Sequence, residues 1–82
     1  MKARLQNRFL ALLMEKERRE GRRIRQTEVA QAINVSNNTI GRWVRNEITR
    51  YDAEVVEDLC AYFECGLCDL LYMDDGTDQR AN

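Results

Sequence analysis

Asn37, Asn38, Thr39, Arg42 and Arg45 fall within nine consecutive residues. Each carries groups of the kind that recognise nucleic acid. An Asn amide can bond adenine N6 and N7 together, and an Arg fork can bond guanine O6 and N7. Each such pairing discriminates between bases by about 1–3 kcal/mol. Hydroxyls and guanidinium groups also reach phosphate oxygens. Positions 37, 38, 41, 42 and 45 recur at intervals of three and four, so on a helix they share one face. Ile40, Trp43 and Val44 share the opposite, apolar face. This spacing makes Trp43 a core residue rather than a base-stacking platform. Asn37 and Asn38 stand where Asn often bonds local backbone, but in this company we read them as base-facing. Gly41 has two readings. Either it lets the helix backbone approach a groove closely, or it is a plain exposed glycine costing about 1 kcal/mol relative to Ala.

Such a helix must be held by others. Ser36 is a good N-cap for a helix over about residues 37–45. Val29, Ala30 and Ile33 place a second helix just before it, over about 26–33. Its start is weak, because Arg25 stands where a Ser or Thr would form a capping box with Glu28. Asn34, and Asn46 after the third helix, are expected in the left-handed conformation, which Asn tolerates second to Gly. Leu5, Phe9, Leu12, Leu13 and Lys16 predict a first amphipathic helix over about 2–19, closed by Gly21. Residues 20–25 read as a basic linker anchored by Ile24. Asp52 caps a fourth helix over about 53–63, with Ala53, Val56, Leu59, Cys60 and Phe63 inward. Gly66 breaks the chain before a short fifth helix over 67–72 that carries Leu67, Leu70 and Leu71. The expectation is all-α, with one domain over 1–73 and an acidic, disordered tail over 74–82.

The net charge of −1 conceals an asymmetry. Residues 1–50 hold 12 Lys and Arg against 5 Asp and Glu, a balance of +7; residues 51–82 hold 1 against 9, a balance of −8. A basic half suggests a polyanionic partner. Cys60, Cys65 and Cys68 come without any histidine. A zinc site wants four ligands, so these three fall short unless Asp69 joins them, and an odd number does not make a disulfide framework. We read them as packing residues, with no metal and no cofactor. No apolar run approaches the roughly 18–20 residues that span a bilayer, and the charged N-terminus does not read as a secretory signal. A cytoplasmic protein is expected. An enzyme is not: there is no His, no base beside the cysteines and no Gly-rich phosphate loop.

The run Gln-x-x-Val-Ala-x-x-Ile-x-Val-Ser-x-x-Thr-Ile-x-x-Trp, from Gln26 to Trp43, resembles the Cro/phage-repressor (Xre-type) family of helix-turn-helix DNA-binding proteins. The segment from Leu59 to Leu71 is similar to that family's last helix pair, and the resemblance covers about residues 3–72. It implies a five-helix, lambda-repressor-like bundle whose helices 2 and 3 form the reading unit, with helix 3 in the major groove. Carried over position by position, it implies base reading by Asn37, Asn38 and Arg42. It implies phosphate contacts by Gln26, Thr39, Arg45, Thr49 and Arg50. Thr39 is also placed to touch a thymine methyl. The sequence departs from the family at Asn34 and Asn46, where Gly is usual, and at Arg25, where Thr or Ser is usual.

The function implied is a sequence-specific regulator of transcription, a repressor of prokaryotic or phage type, binding double-stranded DNA as a homodimer. No second domain is legible, so the dimer is expected to use the bundle itself, with Tyr72 and Met73 as candidates, or to form only on DNA. The alternative is an antitoxin-like module whose acidic half, from Asp52 onward, binds a basic protein partner.

Overall fold

A computed structural model describes residues 4–74. Five helices and two short strands follow in order: β1 (Arg4–Asn7), α1 (Phe9–Glu20), α2 (Gln26–Ala32), α3 (Asn37–Val44), α4 (Ala53–Phe63), α5 (Leu67–Leu70) and β2 (Leu71–Asp74). The fold is helical but not strictly all-α. β1 and β2 form an antiparallel ribbon, pairing Arg4 with Asp74, Leu5 with Met73, Gln6 with Tyr72 and Asn7 with Leu71.

Two expectations are corrected here. The first helix starts at Phe9, not near residue 2, and the fifth ends at Leu70, not at residue 72. Leu5 has helical spacing to Phe9, yet it lies in β1 with 42% of its surface exposed. Tyr72 and Met73 belong to β2. A four-residue strand shows too little alternation to declare itself, and its partner comes from the far end of the chain. β2 also runs through Asp74, one residue into the segment read as tail; residues 75–82 lie outside the described residues.

The other boundaries follow from local chemistry. The Ser36 Oγ accepts from the Thr39 amide at 3.1 Å, and the Asp52 Oδ1 accepts from the Glu54 amide at 2.9 Å, so both N-caps are as expected. Arg25 makes no side-chain cap for α2. Glu17 compensates by tying down the linker, its carboxylate accepting from the Ile24 amide at 2.8 Å. Gly21, Asn34 and Asn46 are left-handed, at φ 68°, 60° and 60°. Glu64 is left-handed as well, at φ 55°. It closes α4 where the sequence offers no Gly, and the Cys65 amide reaches back to the Cys60 carbonyl at 2.9 Å.

The core is apolar throughout. Phe9 and Leu13 of α1, Ile24 of the linker, Val29 and Ala30 of α2 with Ile33, Ile40 and Trp43 of α3, Leu59 and Phe63 of α4 and Leu70 of α5 are all buried. Phe9 is the hub, stacked edge-on to Phe63 at 5.4 Å and tilted against Trp43 at 6.3 Å. Ala53, expected on the inward face of α4, is exposed; it is the first helical residue, where the chain is still entering the bundle. Cys60 and Cys65 pack against the core. Burial pushes the Cys65 thiol up to about 11, which leaves it almost wholly protonated at neutral pH.

Candidate nucleic-acid interface

Two of the core residues decide how α3 sits. Ile40 and Trp43 are 0% and 2% exposed, and the indole also meets Tyr51 edge-on at 5.3 Å. Trp43 is therefore a core residue, as its spacing predicts. With that face pinned, the opposite face of α3 turns to solvent. Asn37, Asn38 and Arg42 are exposed and make no side-chain hydrogen bond or ion pair among the described residues. Asn37 and Asn38 open the helix, but capping falls to Ser36. Their amides are thus not consumed by local backbone in this structure.

Of the other expected contact residues, Thr39, Thr49 and Arg50 lie beside Arg42, whereas Gln26 and Arg45 lie apart from their cleft. Thr39, Arg42, Thr49 and Arg50 come together around one cleft of about 330 Å³ between α3 and the loop that follows it. Val35, Trp43, Ile48 and Val55 form its apolar lining. Thr39 is half-buried and its hydroxyl lies 3.0 Å from that of Ser36. Gln26 is exposed at the first position of α2 and does not reach this cleft. It lines a separate groove with Arg23, Arg25, Leu10 and Met14. Sequence reasoning did not single out Arg23 and Arg25 for this place beside Gln26; adjacency in the chain was the available signal.

Gly41 corrects an expectation. It is buried rather than open, and a Cβ there would meet the Arg45 guanidinium at 3.1 Å. Arg45, one turn later, folds back over it and bonds Glu47 through Nε at 3.0 Å. The reading of Gly41 as a plain exposed glycine does not hold; what covers it is the far end of a flexible side chain, so a close approach of the backbone requires Arg45 to swing aside. The Arg45–Glu47 pair is itself well exposed on both sides. Such pairs contribute little, so Arg45 can exchange Glu47 for a phosphate at small cost.

Charge along the chain is not the charge the surface offers. Arg22 bonds Glu28 through both terminal nitrogens, at 3.0 and 2.6 Å, and Glu20 through Nε at 3.0 Å. The Arg22 hydrogen bond holds the Glu28 carboxyl below its ordinary value, and the Lys16 hydrogen bond does the same for Glu20. Acid intrudes on the cleft beside α3 too. Asp52 lines the same cleft as Arg42 and Arg50. Its N-cap role was legible in the sequence; its nearness to those arginines was not.

A helix pair with its second member pinned inward and polar outward is the architecture of a helix-turn-helix. The family model for the Cro/C1-type HTH DNA-binding domain matches residues 16–76. The chain belongs to that family. No curated protein and no solved structure matches it. The Cro/C1-type match begins inside α1 and takes in α2, α3, α4, α5 and β2, while β1 and the first part of α1 precede it. No helix among the described residues is long and apolar enough to cross a membrane.

Proposed function

We propose that this Cro/C1-type domain is a sequence-specific, double-stranded DNA-binding repressor of prokaryotic or phage type. It works in the cytoplasm and reads the major groove with α3. Asn37, Asn38 and Arg42 read base edges. Gln26, Thr39, Arg45, Thr49 and Arg50 hold phosphates on either side. The observation that carries the reading is the division of α3: Ile40 and Trp43 are buried, and Asn37, Asn38 and Arg42 stand exposed with hydrogen-bonding groups unused among the described residues. Unused polar groups on a rigid helix are preorganised for a partner, because no internal bond must break when they bind. Two copies on a pseudo-palindromic site double these contacts.

Selection of bound duplexes from a random library, followed by sizing of the complex, tests this directly. The expected result is a preferred site with two-fold symmetry and two chains per duplex. Binding without any sequence preference would overturn base reading. Absence of binding to every duplex at about 50 mM salt would overturn DNA as the partner, because phosphate contacts are strongest at low salt.

A further inference from the structure

Asn46 is left-handed, at φ 60°, a conformation glycine adopts with less strain, and the structure shows what its side chain does there. Its side-chain oxygen accepts two hydrogen bonds from Asn7, 39 residues away: one from the backbone amide at 3.2 Å and one from Nδ2 at 2.9 Å. Asn7 is itself a node. It pairs with Leu71 in the ribbon, and its side-chain oxygen accepts from the Phe9 amide at 3.0 Å, which starts α1. The neighbouring Arg8 amide donates to the Leu70 carbonyl at 2.8 Å. The bridge therefore ties the end of α3 to the ribbon and to the start of α1 together. Glycine would adopt the left-handed conformation at 46 with less strain but has no side chain to make the bridge. Asn34, equally left-handed at φ 60°, makes no side-chain hydrogen bond among the described residues.

From this contrast we infer that the Asn7–Asn46 bridge is a positioning device for the reading helix, and that β1 is part of the DNA-reading apparatus. The inference rests on the proposed reading of the major groove by α3. That helix is two turns long and is held inward through Ile40 and Trp43. That apolar packing sets the depth of the helix but is not directional, whereas the hydrogen bonds of the bridge are. Paired hydrogen bonds to a base edge need side chains fixed to within about 0.5 Å. A second fixation just past the C-terminus supplies that stiffness. Asn7 precedes the segment matched by the family model and Asn46 lies within it, so the bridge joins β1 to the matched segment.

The test compares the two left-handed asparagines. The quantity read is the ratio of affinity for the selected site to affinity for random duplex. Asn46→Gly and Asn7→Ala should each lower that ratio by about threefold to tenfold, the range expected for losing a modest hydrogen bond. Asn34→Gly should leave it unchanged, and Asn46→Asp, which keeps the acceptor, should retain most of it. In the free protein, Asn7→Ala should speed hydrogen exchange at the amides of Arg45, Asn46 and Glu47, although it leaves the sequence of α3 intact. An unchanged ratio in Asn46→Gly and Asn7→Ala would overturn the inference. So would an equal loss in Asn34→Gly, which would mark a general effect of the turn residues. If the wild type selects no site, the proposed function fails by itself. The exchange measurement then decides the bridge, and unaltered protection in Asn7→Ala would overturn it.

Discussion

Two arginine-bearing regions meet solvent side by side in sequence order, the linker between α1 and α2 and the outer face of α3 with its following loop. Their individual arginines differ in how charge is spent. Arg22 in the first contrasts with Arg42 and Arg50 in the second, while Arg23 and Arg25 make no ion pair among the described residues and Arg45 pairs with Glu47. In the linker, Arg22 is held by Glu20 and Glu28 and draws the start of α2 toward the end of α1. On the reading side, Arg42 and Arg50 border a cleft with an apolar lining and make no ion pair among the described residues. A guanidinium already holding two carboxylates has little to offer a phosphate, because its bonds must first be broken. A free one gains the full charge-assisted contact. The first kind of arginine builds the domain, and the second kind is available to a ligand.

The largest expected effect concerns what holds the reading side in place. Trp43→Ala should destabilise the domain by about 3–5 kcal/mol, enough to unfold much of a small domain. A thermal melt checks it. An unchanged melting temperature with lost DNA binding would make the indole a ligand contact and dissolve the distinction between the two faces of α3.

Next comes the direct contrast. Arg42→Ala should weaken binding to the selected site by about 1–3 kcal/mol and barely change binding to random duplex. Arg22→Ala should lower the melting temperature but leave the ratio between the two duplexes intact. Titrations of both variants on both duplexes would reverse the assignment if the ratio fell for Arg22→Ala and not for Arg42→Ala.

Salt sharpens the comparison further. With Arg42, Arg45, Arg50 and the linker's Arg23 and Arg25 as the cations that can release counterions, the affinity should fall with a log–log slope of roughly −3 to −5 per subunit, about −0.9 for each phosphate neutralised. Arg50→Ala should make the slope shallower by about one contact, and Arg22→Ala should leave it alone. Equal changes in the two variants would show that Arg22 leaves its carboxylates to bind DNA.

The smallest effect is on acid stability. The Glu20 and Glu28 carboxyls are held below their ordinary value of 4.5 in the folded chain. Unfolded, they take up protons first as pH falls. Their contribution is therefore present above about 4.5 and lost below it, toward the lowered folded values. Arg22→Ala should remove part of this dependence, seen as a smaller difference in urea midpoint between pH 7 and pH 4. Both groups are at the surface, so the difference is modest. An undiminished difference in the variant would mean that other carboxylates carry the acid response.

Much of the reading unit was legible from residues 26–46 because its determinants are local. Ser36 caps the helix that begins beside it, Asn34 and Asn46 turn the chain where they stand, and Ile40 and Trp43 share a face by spacing alone. The same holds for Asp52 and α4. The errors fall where a residue's fate depends on something distant or on its own flexible neighbour. Leu5 kept helical spacing to Phe9 but was claimed by β2, and Gly41 was closed over by the long side chain of Arg45.

The sequence by itself determined the helical order, the N-caps at Ser36 and Asp52, the inward Ile40 and Trp43 of α3, and the membership in a DNA-binding family. These follow from interactions within one or two turns, whose geometry a regular backbone fixes in advance. Only the tertiary structure decided that residues 4–7 are a strand. It alone decided that Arg22 is committed while Arg42 and Arg50 make no ion pair among the described residues, that Asp52 shares their cleft, and that Asn46 reaches Asn7. Each of these depends on which side chain of suitable length and charge arrives from elsewhere in the chain. Local propensity carries no record of that arrival, because the pairing is settled only when the apolar core closes and brings the distant partners within hydrogen-bond reach.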